Sequence, residues 1–318
     1  MNQAHKSQKV RWLIAHEPVH LFLRTAKAFA SDVLEKTKGQ IDIEIYTLSE
    51  YAEKFGKDRH VNPLTHMENG DLEMSQLHIS QLWKYNAPAF MALELPFLFR
   101  DHDHASRVLE GQIGKTMLET LKEKSPARGL AFTYSGGYRV MLSKNEIKNL
   151  SDFKNLKFYT GTNPIGIDTI EAIGGSADAN SADNWWATVF SGSDEHDAVD
   201  TTLPRVAAAV DQTEKRYLTD TRHSMFLTTI IVSEKWWNNL PDELKLVLSQ
   251  SATDAARLER NWSIEDSKNI INNSQEHGLY YKELSSSDME KFRTATKHLY
   301  KKYNSIFMPG LIDNIQNS

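Results

Sequence analysis

Cysteine does not occur among the 318 residues, which removes disulfides, thiolate metal sites, iron–sulfur clusters and cysteine nucleophiles together. No apolar stretch approaches the roughly 18 residues of a membrane-crossing helix, so no direct membrane insertion is expected. Charge of one sign is never concentrated. The 37 Lys and Arg stand against 42 Asp and Glu, a net charge of −5. A nucleic-acid partner would need a basic face, and none is visible. Also missing are the G-x-S-x-G elbow, the G-x-x-x-x-G-K-[ST] phosphate loop and a G-x-G-x-x-G turn between strand and helix. Residues 1–9 are polar and lack the apolar segment of a secretory signal. What is left is an ordinary globular composition, 40% hydrophobic and 25% charged, long enough for about two domains.

Residues 9–15 alternate and are rich in β-formers. Phe22, Ala26, Phe29 and Val33 then recur at helical spacing, and Ile41, Ile43 and Ile45 alternate with polar neighbours. This is a strand–helix–strand unit whose strands should be parallel. A polar stretch over 49–59 leads to a short helix at 63–69, a strand at 72–79 and one helix over 105–124. From Gly129 the pattern shifts to shorter strands at 130–134, 139–142 and 157–159, helices at 164–173 and 184–190, and a strand at 225–232. Leu244, Val247, Leu248, Ser251, Ala255, Leu258 and Trp262 form a stripe on a helix that runs without Gly or Pro over 242–277. The chain reads as α/β in two lobes, with the long helix packing across both.

Residues 16–20 read His16-Glu17-Pro18-Val19-His20, matching the H-E-x-x-H of zinc hydrolases. That chemistry needs a helix, which sets both imidazoles on one face with the Glu beside the metal-bound water. Pro18 works against it, since an interior proline costs a helix about 3 kcal/mol. Pro18 fits better in the first turn of the first helix, with His16 and Glu17 in the loop before it. His102 and His104 read as a polar helix start. A zinc-dependent α/β hydrolase using His16, Glu17 and His20 remains the alternative, and no metal or cofactor is expected on the main reading.

Five stretches in register resemble the periplasmic solute-binding proteins of TRAP transporters, the C4-dicarboxylate-binding and sialic-acid-binding kind. They are Ala15-His16-Glu17 with the following helix and Lys38-Gly39; Leu95-Pro96-Phe97-Leu98-Phe99; Gly136 to Arg139 with Leu150-Ser151-Asp152-Phe153-Lys154-Asn155-Leu156-Lys157; Ala172-Ile173-Gly174-Gly175 with Trp186 to Gly192; and Val232-Ser233 with Leu240-Pro241. The resemblance covers about residues 9–310. It implies two α/β lobes, read as 1–134 completed by about 224–255 and 135–223 completed by about 256–318. It further implies hinge closure on one small solute, delivery to TRAP permease membrane subunits, and a periplasmic location with the signal peptide absent from this sequence.

The family's carboxylate-binding Arg stands in a G-x-K-x-R strand, a bidentate match for a substrate carboxylate. Here the strand reads Asn155-Leu156-Lys157-Phe158-Tyr159, with Tyr159 at the Arg position. Arg139 matches a second Arg that some members use. Glu17 ends the first strand, where open α/β sheets place ligands. Gln76 and His78 lie on the third strand, Trp186 offers an aromatic face, and Asp200 sits in the counterpart of the family's V-D-G-x-E-N segment. These seven residues are the expected ligand contacts, for an organic acid or otherwise an amine or zwitterion.

Overall fold

The computed structural model describes residues 7–16, 19–58, 62–82, 88–161, 163–178, 196–209 and 215–318. The strands are β1 (Gln8–Ile14), β2 (Ile41–Thr47), β3 (Met74–His78), β4 (Ala127–Ser143), β5 (Lys157–Tyr159), β6 (Ser176–Asp178), β7 (Ala198–Thr202), β8 (Arg216–Asp220), β9 (Met225–Ser233) and β10 (Leu279–Glu283). The chain divides into two compact units. The first comprises Met1–Ala87, Ser106–Ser135 and Leu227–Trp262; the second comprises Pro88–Ala105, Gly136–Phe226 and Ser263–Ser318.

In the first unit β1 pairs parallel with β2 and with β3, and β9 pairs antiparallel with β3. Alternation along β1 turns Val10, Trp12 and Ile14 toward Phe22, Ala26, Phe29 and Val33 of the helix Val19–Lys36, and Trp12 meets Phe29 at 5.1 Å between ring centroids. Burying each such side chain contributes about 1.5–3 kcal/mol. Lys38 and Gly39, with φ of 51° and 78°, turn the chain into β2. The stretch 49–59, read as polar connection, holds the helix Leu48–Phe55. Thr47 and Glu50 cap it reciprocally, a capping box visible in the sequence as T-x-x-E.

In the second unit β4 pairs antiparallel with β7 and β8, while β7–β5, β5–β6 and β8–β10 are parallel. One side packs Met141, Phe153, Phe158, Ile170 and Phe292. The other packs Val140, Leu142, Val199, Leu218 and Leu279.

Several expectations are corrected. The strands read at 130–134 and 139–142 are one strand, Ala127–Ser143, because Gly136 and Gly137 at φ of 96° and 84° bend the chain without ending it. The helix read over 105–124 is two, His102–Glu110 and Gln112–Thr120, broken where Gly111 is extended. The long helix is Asp242–Asn272, followed by the tight turn Ser274–His277; its residues belong to both units. Pro88–Ala105 belongs to the second compact unit. Its anchors are Phe97, whose ring lies 5.2 Å from that of Phe292 and whose amide donates to the His223 carbonyl, and Glu94, which faces Arg139. The helix read at 184–190 lies outside the described residues.

Candidate functional site

The β4–β7 register sets Arg139 opposite Thr202 and Met141 opposite Asp200, so Arg139 and Asp200 share one face of the second unit's sheet, one step along the diagonal. Gly136 makes this approach possible: a Cβ there would stand 2.6 Å from the Thr202 hydroxyl oxygen. Arg139 is only 7% exposed, and its guanidinium carbon lies 3.9 Å from the centroid of the Phe226 ring. It donates to Asp200 Oδ2 at 3.3 Å and to Glu94 Oε2 at 3.5 Å. Both contacts are single and long against the 2.7–2.9 Å of a fork-to-fork pair. Glu94 Oε1 and Asp200 Oδ1 accept no hydrogen bond from the described residues.

Further polar groups surround these three. His223 brings Nε2 to 3.6 Å from Asp200 Oδ1, bonds Thr221 through Nδ1 and stacks on Phe292. Arg205, buried in the helix Leu203–Ala209, places its guanidinium carbon 4.9 Å from the same Phe226 ring. Burial pushes the Glu94 carboxyl up, against the pull of Arg139. Burial also acts on Asp200, but the charges of Arg139, His223 and Arg205 outweigh it and hold that carboxyl below the usual range. Among the described residues the cluster thus joins two guanidiniums with one carboxyl held below its usual range and a second shifted toward its neutral form.

Tyr159 pairs with Val199 in the register of β5 and β7 and packs with the Val140 and Leu142 side of the sheet, not the Arg139 side. Its ring meets His196 edge-on at 5.7 Å, and His196 Nε2 lies 3.0 Å from Asp178 Oδ2. Burial raises the Tyr159 hydroxyl pKa, with the charge of Arg205 opposing it.

Gln76 and His78 lie in the first unit. Gln76 is 1% exposed, and its amide nitrogen donates to Thr133 and Thr228 hydroxyls at 2.8 and 3.2 Å and to Glu259 Oε2 at 2.8 Å. Glu259, which Thr25 also bonds, is fully buried and its pKa is pushed up to about 8. His78 packs its ring 4.2 Å from that of His16. Glu17 and Trp186 lie outside the described residues. Of the seven expected residues, Arg139 and Asp200 meet directly, and Tyr159 occupies the other side of the same sheet.

The sequence reading missed Glu94, Arg205, His223 and Phe226. Two of them carried a signal. Glu94 is the sole charge in the apolar run 87–99, and Arg205 the sole charge between Asp200 and Asp211; a lone charge in such a run is one that folding must bury with partners.

No group of three or more metal-ligating side chains is found among the described residues. His20 is exposed, and His104 is buried, bonding the Arg100 amide and the Ile315 carbonyl.

Residues 14–306 match the family model of the bacterial extracellular solute-binding proteins, family 7, DctP. The chain belongs to that family. A family 7 protein is a solute-binding component of transport, not an enzyme, so the zinc-hydrolase alternative falls. The chain is similar to the 2,3-diketo-L-gulonate-binding periplasmic protein of Escherichia coli, 26% identical over 80% of this chain and 74% of that one. It shares its fold with a TRAP periplasmic solute-binding protein from Polaromonas bound to D-erythronate, at TM-score 0.83, 22% identity and 98% coverage of both chains. It also shares it with the sugar acid binding protein of Advenella mimigardefordensis in complex with galactonate, at TM-score 0.84 and 19% identity over 98% and 97% of the two chains. Members of family 7 work outside the cytoplasm, and no described helix of this one is long and apolar enough to cross a membrane.

Proposed function

We propose that the protein is the periplasmic solute-binding subunit of a TRAP transporter, that it captures a small polyhydroxylated organic acid by hinge closure, and that it hands this solute to the permease membrane subunits. The observation that carries the reading is the buried Arg139 guanidinium, held by two long single contacts and flanked by orphaned carboxyl oxygens of Glu94 and Asp200. A solute carboxylate completes the guanidinium's fork, and solute hydroxyls supply the donors that those oxygens lack. An amine would have to sit against the buried Arg139 guanidinium, which favours the acid. The related proteins named above bind 2,3-diketo-L-gulonate, D-erythronate and galactonate, all of this chemical class.

The test is a thermal-shift screen of those three acids against diamines and amino acids, followed by titration of the best binder. A ligand that binds only the folded protein stabilises it by RT ln(1 + [L]/Kd), about 2.7 kcal/mol at a hundredfold excess over Kd. The reading expects an acid to give the largest shift and saturation to reduce the radius of gyration in small-angle scattering. A response confined to amines would overturn the choice of solute. Tight binding at an unchanged radius would overturn hinge closure.

A further inference from the structure

The two terminal nitrogens of Arg139 are divided between two carboxyls: Nη1 donates to Asp200 Oδ2 at 3.3 Å and Nη2 to Glu94 Oε2 at 3.5 Å. All three residues belong to the second unit, and all three side chains are more than nine-tenths buried. A solute carboxylate that takes the Arg139 fork brings its oxygens to about 2.9 Å from the same nitrogens, so each lies within about 6.5 Å of a carboxyl oxygen already there. Three carboxylates around one guanidinium, out of water, repel one another and raise each other's affinity for protons. Asp200 resists protonation best. It is backed by His223 Nε2 at 3.6 Å and lies in the field of Arg205 as well as of Arg139, and these hold its carboxyl below the usual range. Glu94 ends the tight turn Pro88–Glu94 and is less well supplied. Among the described residues the charges acting on it are Arg139, which favours ionisation, and Asp200, which opposes it, while the Asn163 side chain adds a hydrogen bond. Burial outweighs the favourable part and moves the Glu94 carboxyl up before any solute arrives.

Resting on the function proposed above, we infer that Glu94 is the proton-accepting residue of solute capture: it takes up one proton as the solute carboxylate settles on Arg139, so that the site takes in an acid anion and a proton together. The proton comes from solvent and stays on the Glu94 carboxyl; no bond of the solute is made or broken. Uptake leaves Asp200 and the solute to share the Arg139 charge. A protonated carboxyl keeps an accepting oxygen and gains an O–H donor, whereas an ionised one only accepts, so the proton also lets Glu94 donate to the solute. Because the complex then holds one proton more than the free protein, affinity is highest below the Glu94 titration and falls as pH rises through it, by at most about tenfold per pH unit.

The experiment is titration calorimetry of the acid selected by the screen, from about pH 5, above the ordinary carboxyl range of such solutes, to about pH 9. Pairs of buffers with low and high ionisation enthalpy count the protons exchanged on binding. Wild type, Glu94→Gln and Arg139→Gln are compared, each checked by its melting curve. Wild type should take up between about half a proton and one at its maximum, with affinity falling on the alkaline side. Glu94→Gln, whose amide copies the neutral carboxyl, should exchange none, lose the pH dependence and hold the acid about tenfold more tightly than wild type at the alkaline end. Wild type that binds the acid with no proton uptake anywhere in the range overturns the inference and leaves the acid reading standing. So does uptake that persists in Glu94→Gln, which puts the proton on another group such as Asp200 or His223. If folded Arg139→Gln binds the acid as wild type does, the acid reading itself falls. Should Glu94→Gln fail to fold, the wild-type proton count decides alone, and a count of zero overturns the inference.

Discussion

Gln76 in the first unit and Arg139 in the second each lie within a strand, each is more than nine-tenths buried, and each gathers side chains from several elements. Around Gln76 the partners are two threonine hydroxyls and a carboxyl pushed toward neutrality, and the amide nitrogen makes three contacts of 2.8–3.2 Å. Around Arg139 the partners are charged and the contacts are 3.3 and 3.5 Å; each cluster also holds two buried oxygens that accept no hydrogen bond from the described residues, Gln76 Oε1 and Glu259 Oε1 in the first and Glu94 Oε1 and Asp200 Oδ1 in the second, so the difference lies in charge and contact length. A buried network of short contacts among groups that are neutral suits a core. A buried cluster of charged groups joined by long contacts holds a core together poorly and suits a ligand that brings charge of its own. On this contrast we propose Gln76, expected as a ligand contact, as a structural hub and Arg139 as the anchor.

The contrast breaks most visibly at Arg139. Arg139→Gln should cost the bound acid more than about 2 kcal/mol, since a charge-assisted fork is lost from a desolvated place, and titration calorimetry measures it directly. A nearly unchanged affinity would erase the distinction between the clusters. Gln76→Ala should act the other way round: a loss of about 1–3 kcal/mol in unfolding free energy, because Glu259, Thr133 and Thr228 lose a shared donor, with solute affinity within about threefold of wild type. Denaturant titration and calorimetry on the same preparation separate the two effects.

Glu259 sharpens the comparison through pH. Its folded pKa is raised by burial to about 8, above its unfolded value, so the folded state holds a proton that the unfolded chain has released. The stability it contributes is complete below about pH 4.5 and is lost as pH rises through 8, with a slope of at most about 1.4 kcal/mol per pH unit. Glu259→Gln should therefore gain on wild type steadily between pH 5 and 8. Parallel melting curves across that range would contradict a buried, largely neutral Glu259. The smallest effect is expected from metal removal: a chelator should leave the melting temperature within about 1 °C and solute affinity unchanged, because ligand sets that couple metal to folding are missing among the described residues. Stoichiometric zinc lost in His16→Ala would revive the H-E-x-x-H reading.

Much of the frame was legible because its signals are local. Alternation at Ile41, Ile43 and Ile45, the 3–4 spacing of Phe22, Ala26, Phe29 and Val33, and the uninterrupted stripe from Leu244 to Trp262 each declare an element by its own periodicity. Breaks set by glycine were harder. Gly111 splits a helix and Gly136 bends a strand, yet each residue type permits either outcome. The candidate site was half legible. Arg139 and Asp200 were named, but their partners Glu94, Arg205, and the pair His223 and Phe226 come from three other places in the chain, brought together by the β4–β7 register, the packing of Pro88–Ala105 and the bond from the Arg139 amide to the Ser224 carbonyl. Tyr159 was placed by its position in a strand, and strand parity then set it on the other side.

The most direct test of the central claim is a crystal structure of the protein saturated with the acid that the screen selects. The account predicts a solute carboxylate within hydrogen-bond distance of the Arg139 guanidinium, with solute hydroxyls donating to Glu94 or Asp200. A carboxylate bound away from Arg139, or a cationic group of the solute seated against Asp200, would contradict it.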